Sequence, residues 1–472
     1  MANLTQLRMA AREIFDEALR AVDAGVAVSQ AVALEGSRLR VRNRSFELQQ
    51  RNIYSIAIGK AALPMALAVE DIFGTNFVAG LIAGPIAGQP LGREIAMPPR
   101  KLSTHWQWCE GGHPLPNKAS LLAAKEAFAL LERANEELAP IVFLISGGGS
   151  AMLEQPINED ITLKDLRDAN KVLVTSGASI VEINSVRRAF SATKGGRLAA
   201  LAPNCDQITL IVSDVPEGEE RNVASGPTLA PAENAPDPRD IIAQYDLRSR
   251  LPPSITRAIE NTKSSDSTSA SMREYFVLLN NRDAVEAAAQ GARQRGFMTE
   301  IANDISDQPI EEGCLQLHER LELRARYGNA GVNRLEAGLV PPVGTRADSK
   351  QNHSSVCLIS GGEFACPVKD NGIGGRNLET ALRLACSTNF SLSDRSFVAL
   401  CAGTDGIDGN SPATGAIIDN TTIERAQRIG LDAQDFLDRS DAYSFFVALG
   451  DVITTGHTGT NVRDLRILLS AG

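Results

Sequence analysis

The chain has 472 residues, too many for one ordinary hydrophobic core, so two domains are expected. Its 43% hydrophobic and 22% charged content is that of a globular protein. A formal charge of −10 argues against a nucleic-acid or anionic-membrane surface, and no apolar run is long enough to span a bilayer.

Residues 4–23 have the spacing of an amphipathic helix, with Leu7, Ala11, Ile14, Phe15 and Leu19 on one face. No apolar stretch of the signal-peptide kind stands at this end. Seven cysteines are scattered without a CxxC pair, which suits a reducing, cytoplasmic setting. Arg38, Arg40, Arg42 and Arg44 alternate with Leu39 and Val41 as on a solvated strand face.

A buried strand over 53–58 ends in Gly59-Lys60 at the start of a helix over 61–69, and 78–83 reads as a second strand. A helix over 118–131 leads to a strand over 141–145, which empties into Ser146-Gly147-Gly148-Gly149-Ser150. A helix over 163–175 precedes Asn184, Arg187 and Arg188, and then Lys194-Gly195-Gly196-Arg197. The next strand, 208–212, ends at Ser213-Asp214.

A polar stretch rich in proline and serine, 231–272, marks the boundary, giving domains over 1–270 and 271–472. Beyond it come a strand over 275–279, a helix over 283–293, a strand over 298–302, a helix over 310–327 and loop-like residues 334–351. Cys357-Leu358-Ile359 opens a strand that runs into Ser360-Gly361-Gly362-Glu363. The turn 371–375 then feeds a helix beginning at Arg376, with Leu378, Ala381, Leu382 and Ala385 on its apolar face. A strand over 397–401 leads into Thr404-Asp405-Gly406-Ile407-Asp408. Two short helices and a final helix after Gly459-Thr460-Asn461 close the chain. Strands alternating with helices predict an α/β fold, a largely parallel sheet covered by helices on both faces.

In such sheets the loops after the strands' carboxyl ends gather at one edge, where ligands bind. Cations recur at helix starts (Lys60, Lys194 with Arg197, Arg376), and acids recur at strand ends (Asp214, Glu363, Asp405, Asp408). A cation at a helix N-terminus is unfavourable unless an anion sits there, so Arg376 and its glycine turn read as a phosphate or carboxylate socket. Phosphoryl transfer needs this mixture: cations spread the charge of the moving group, and carboxylates hold Mg²⁺ or accept a proton. His113-Pro114 reads as a rigid loop, and no histidines stand at zinc-ligand spacing.

The ordered set AIGKAA, GGHPLP, ISGGGSAMLEQP, INSVRRAFSATKGGRLA, SDVPEGEERNVASGPT, LISGGEF, GGRNLETAL, AGTDGIDGNSPATGAI and TGHTGTNVRDL resembles the glycerate 2-kinases that end in a MOFRL domain. The set runs from about residue 55 to 465, nearly the whole chain. The resemblance implies two three-layer α/β domains, an N-terminal Rossmann-like one and a C-terminal MOFRL-type one, with the active site in the cleft between them. It implies transfer of the ATP γ-phosphoryl to the 2-hydroxyl of D-glycerate, with Mg²⁺. Lys60 and Arg376 are then the expected catalytic residues. Asp214, Asp405 and Asp408 share the roles of general base and metal ligand, with Asp214 placed among the catalytic residues, Asp405 and Asp408 among the metal ligands, and the division between base and ligand left open. Ser146, Gly147, Gly148, Gly149, Ser150, Asn184, Arg187, Lys194, Glu363, Gly374, Gly375 and Thr404 are expected to bind substrate or nucleotide. A homo-oligomer is compatible with this reading; nucleic acid and membrane are not expected partners. One departure is Gly456-His457-Thr458-Gly459-Thr460-Asn461, where the resemblance leads one to expect proline in place of His457.

The same family is in places labelled hydroxypyruvate reductase, which makes an NAD(P)H-dependent reductase the competing reading. A dinucleotide site wants G-x-G-x-x-G between the first strand and helix. The nearest match, Gly372 to Asn377, lacks the last glycine and falls late in the chain. A phosphosugar-binding regulator without activity would explain the glycine turns but not the acids at the strand ends.

Overall fold

A computed structural model describes residues 4–48, 50, 52–85, 102–262, 271–327, 355–387 and 395–472. The loop expected over 334–351 lies outside these residues, as does 263–270 of the expected linker.

Two six-stranded sheets organise the described chain, with a small antiparallel sheet of β1 (Val32–Glu35), β2 (Arg38–Val41) and β3 (Arg44–Glu47) beside the first. In β2 the arginines are exposed and Leu39 and Val41 buried, as the alternation predicts. The first large sheet comprises β4 (Ile53–Ile58), β5 (Phe77–Gly84), β6 (Trp106–Glu110), β7 (Ile141–Ser146), β8 (Gln207–Val212) and β9 (Arg273–Leu279). All its pairings are parallel, in the order β6-β5-β4-β7-β8-β9. Counted from β4 this is 3-2-1-4-5-6, the doubly wound order whose ligands bind where the strand order reverses. That reversal lies between β4 and β7, the strands that end in Lys60 and the triple glycine.

Alternate residues of β4 explain the three layers. Ile53 and Ala57 pack into one core with the helix Ala62–Phe73, while Tyr54, Ile56 and Ile58 pack into the other with the helix Lys118–Glu136. A separate helical cluster, built on the helices Leu163–Val174, Ile180–Ala189, Pro238–Gln244 and Pro253–Glu260, stands beyond these layers.

The second sheet comprises β10 (Met298–Ile301), β11 (Val356–Ser360), β12 (Ser396–Gly403), β13 (Gly415–Asp419), β14 (Val452–Ile453) and β15 (Asp464–Ala471), in the order β10-β11-β15-β12-β13-β14. Only β10 and β11 pair in parallel; the remaining pairings are antiparallel. Two expectations are corrected here. The final segment is not a helix but β15, inserted between β11 and β12. Every residue of β15 is buried, so its apolar run shows no surface alternation and could not be told from a buried helix by period. The boundary also moves. β9 pairs with β8 and so belongs to the first sheet, while the helix Leu4–Ala21 packs with the helix Asn281–Gln294 on the second.

Antiparallel β15 serves the site. It places its own first residue, Asp464, at the edge where β11 and β12 end, beside Glu363 and Asp405. Among the described residues, no helix is long and apolar enough to cross a membrane.

Candidate active site

The turn after β4 depends on glycine. Gly59 has φ +111°, and a Cβ there would collide with the Ser146 carbonyl and hydroxyl. The Lys60 backbone N–H then donates to the Gly147 carbonyl at 2.9 Å, joining the two loops at the switch point. The Lys60 side chain lies over Gly148, where an added Cβ would stand 3.1 Å from its Cγ. Its Nζ reaches across the cleft to Asp405 Oδ2, 2.5 Å away in the second domain. Desolvation disfavours the ammonium, but Asp405, with help from Asp214 and Glu363, outweighs it and raises the lysine's pKa. Burial likewise opposes ionisation of Asp405, and Lys60 overcomes it, so this carboxyl stays below its ordinary value.

Asp214, after β8, presses on Gly147 from the same side. Its Oδ2 accepts a hydrogen bond at 3.1 Å from Asn461 Nδ2, a second bridge between the domains. Desolvation raises its pKa, with Lys60 opposing.

On the far wall, Arg376 opens the helix Arg376–Cys386 and is seated between two acids. Its Nη2 is 2.8 Å from Glu363 Oε1 and its Nε is 2.8 Å from Asp464 Oδ2. Burial pushes Glu363 up to about 7 against the pull of Arg376. For Arg376 itself desolvation is outweighed by Asp464 and Glu363, so it stays fully charged. The same arginine lowers Asp405, so the cations of both domains act on one shared set of acids.

Several expected ligands are otherwise engaged. The N-terminus of the Arg376 helix is not an open anion socket, because Asp408 fills it. Asp408 accepts from the backbone N–H groups of Asn377 at 3.1 Å and Leu378 at 2.8 Å and from Asn377 Nδ2, and it is buried. It is a helix cap, not an open metal ligand, and burial pushes it up to about 7. Gly375 is the close approach this requires, since a Cβ there would strike the Asp408 carboxylate; Gly374 bonds Asn410 through its N–H and carbonyl. Ser146 Oγ staples Ala61 N–H to the Ile58 carbonyl, and Thr404 Oγ1 joins the Arg463 carbonyl to Val462 N–H; both are fully buried. Lys194 is sealed against Glu154, each about 2% exposed, and has no face toward a ligand.

Arg187 differs. Its Nε donates to Asn170 Oδ1 at 2.8 Å and its Nη1 approaches Asn184 Oδ1 at 3.5 Å, but it has no ion-pair partner among the described residues. Desolvation lowers it to about 10. A relay of hydroxyls and amide connects it to the glycine turn: Ser150 Oγ meets Ser225 Oγ, and Ser225 Oγ donates to Asn184 Oδ1, each at 2.8 Å. Ala224 and Ser225 hold this relay with positive φ, a strained backbone of the kind found at functional sites.

Sequence reasoning missed Asp464, Asn461, Arg463 and His113. Asn461 and Arg463 lead into, and Asp464 opens, the strand β15 that the sequence reads as a helix. His113 was read as a loop residue, yet its Cδ2 would lie 3.3 Å from a Cβ on Gly148, and it feels Lys60, Asp405 and His457. Among the described residues, no group of three histidines, cysteines or acids is arranged to hold a metal. Mg²⁺ at phosphoryl-transfer sites takes one or two carboxylates together with substrate phosphates. Asp405 and Asp214, hard oxygen donors on facing loops, suit that role; Asp408 does not.

This is a two-domain α/β protein with a charged interdomain cleft of the kind phosphotransferases use. Residues 10–260 match the family described as a domain of unknown function (DUF4147), and residues 356–464 match the MOFRL family. The chain belongs to this DUF4147–MOFRL family. It is 32% identical to a glycerate kinase of Rattus norvegicus, over 97% of this chain and 92% of that protein. It is also 32% identical to a glycerate 2-kinase of Pyrococcus horikoshii, over 96% and 95% of the two chains. The solved structure of a glycerate kinase from Thermotoga maritima superposes with a TM-score of 0.73 at 27% identity, covering 98% and 99%. Relatives from Agrobacterium vitis bear a hydroxypyruvate reductase name.

Proposed function

We propose that this protein is a glycerate kinase that transfers the γ-phosphoryl of ATP to the 2-hydroxyl of D-glycerate. The observation that carries the reading is the convergence of Lys60 and Arg376, from different domains, on one set of carboxylates at the switch point of a doubly wound sheet. Kinship with glycerate kinases over nearly the whole chain supports the substrate.

In this reading the glycerate hydroxyl oxygen forms a bond to the γ-phosphorus as the bond to the β,γ-bridging oxygen breaks. Lys60 and Arg376 spread the charge on the equatorial oxygens. Asp214 takes the hydroxyl proton; burial raises its affinity for protons above that of an ordinary carboxylate, with Lys60 opposing. Asp405 would hold Mg²⁺ together with substrate phosphates, and the ion would supply charge neutralisation there. Arg187, lacking a carboxylate of its own, receives the carboxylate of glycerate, while the Gly147–Ser150 turn meets phosphate oxygens through its N–H groups. Seven unbridged cysteines suit action in a reducing compartment.

The test is to incubate the protein with D-glycerate, ATP and Mg²⁺ and follow ADP, with NADH loss on hydroxypyruvate followed in parallel. ADP release dependent on glycerate is expected, with a 2-phosphoglycerate signal in phosphorus NMR. NADH oxidation without ADP release would replace the kinase with a reductase.

A further inference from the structure

The chain passes from the first sheet to the second at Leu279–Asn281, between β9 and the helix Asn281–Gln294. Asn280 is an ordinary N-cap for that helix, accepting from Arg282 N–H. Its neighbour Asn281 is not used by the helix. Its Oδ1 accepts from Gly362 N–H at 2.9 Å, and its Nδ2 donates to the carbonyls of Val462 at 2.7 Å and Asp464 at 3.0 Å. One carboxamide thereby spends its acceptor on the loop that carries Glu363 and both its donors on the segment that carries Asp464.

Those are the two acids that seat Arg376. The fit is close, because a Cβ on Gly361 would collide with Asn281 Oδ1. An amide is needed: a carboxylate would set an oxygen against two carbonyl oxygens, and a hydroxyl has a single donor where two carbonyls must be served.

We propose that Asn281 is a positioning residue for Arg376, holding Glu363 and Asp464 at the separation that aims the guanidinium into the cleft. Because it sits on the interdomain crossover, any movement of one domain against the other at this point reaches the Arg376 seat directly. The inference rests on the kinase reading for its catalytic consequence but not for its geometry, so two readouts separate them.

The first readout is kinetic. Asn281→Ala and Asn281→Asp should each lower kcat by roughly tenfold to a hundredfold, with KM for ATP and glycerate held within about threefold. The loss should largely vanish in an Arg376→Ala background, since both changes disable one unit. Asn280→Ala, which weakens the same helix without touching either loop, should leave kcat within about twofold. The second readout needs no activity. The Arg376 Nε–H NMR signal, assigned by its loss in Arg376→Lys, should shift and exchange faster in both Asn281 variants and not in Asn280→Ala. An additive kinetic effect, or an unmoved Nε–H signal, overturns the proposal. So does failure of Asn281→Ala, Asn281→Asp and Asn281→Ser all to fold, which would make the residue structural. If the protein proves inactive toward glycerate while the signal shifts as described, the kinase reading falls and the positioning geometry stands.

Discussion

Lys60 of the first domain donates to Asp405 of the second across 2.5 Å, so the residue expected to stabilise a transferred phosphoryl group is also a tie between the domains. An ammonium held this way stays charged. Lys60→Ala and Arg376→Ala are each expected to lower kcat by at least about a hundredfold. A coupled ADP assay checks both, and near wild-type rates would remove either residue from the chemistry.

Arg187 is a half-buried cation with no ion-pair partner among the described residues, although Glu154 favours its charge from a distance, and it is placed to take an anion. Arg187→Lys keeps the charge but loses the fork that suits a carboxylate. The expected result is a rise of about tenfold or more in KM for glycerate with KM for ATP little changed. Equal rises for both substrates would assign the arginine to the nucleotide or to general stability.

Asp408 separates a structural role from a metal role. If it caps the helix that begins at Arg376, Asp408→Ala should cost about 1–2 kcal/mol of stability. The Mg²⁺ concentration giving half-maximal rate should then be unchanged. A thermal melt beside a Mg²⁺ titration decides it: a large Mg²⁺ shift with an unaltered melt would return Asp408 to the metal.

The Lys194–Glu154 pair is sealed from solvent, so removing one partner strands the other. Lys194→Met is expected to destabilise the protein by about 3–5 kcal/mol, and the double variant Lys194→Met, Glu154→Leu by clearly less. Chemical denaturation of the three proteins measures this. A Lys194→Met variant that is stable but has lost affinity for glycerate would contradict the burial argument.

The helix Leu4–Ala21 is held to the second domain partly by ion pairs, Arg8 to Asp419 on the sheet at 2.7 Å and Glu17 to Arg295, at the end of the helix Asn281–Gln294, at 2.8 Å. The hydrogen bond from Arg295 lowers Glu17; for Asp419 burial is outweighed by hydrogen bonds from Thr421 and then Arg8. Both carboxyls therefore titrate lower in the folded protein than their ordinary 4.5 and 3.8. Their contribution is present above those values and is lost as pH falls through the depressed ones. The protection factors of amides in residues 4–21, exchange normalised to its intrinsic rate at each pH, should fall below about pH 4, ahead of those of the sheet cores. Protection that persists unchanged to about pH 3 would show that apolar packing alone holds the helix.

Much of this protein follows from local rules. Part of the first sheet could be read because β4 and β7 are short apolar runs that stop at glycine turns, with Lys60 at the first of these stops; Asp214 and Asp405 directly follow the apolar runs of β8 and β12, and Arg376 opens a helix after a glycine turn. The parallel first sheet gathers Lys60 and Asp214 at its carboxyl edge, but their meeting with Asp405 and Asn461 of the second, mostly antiparallel sheet is set by tertiary packing. What a linear reading could not supply is which neighbour each charge acquires. Asp408 and Asp405 look alike in Thr404-Asp405-Gly406-Ile407-Asp408, yet one caps a helix that starts about thirty residues earlier while the other faces the lysine of a different domain. Lys194 and Arg187 lie seven positions apart, and only packing pairs the first with buried Glu154 and leaves the second with no ion-pair partner among the described residues. Asp464 was hidden because β15 is buried on both faces and carries no period, so its pairing with β11 and β12 had to come from the sheet. Strand ends and turns are written in short stretches of sequence because they depend on a few neighbouring residues; the partner of a buried charge depends on every segment that desolvates it.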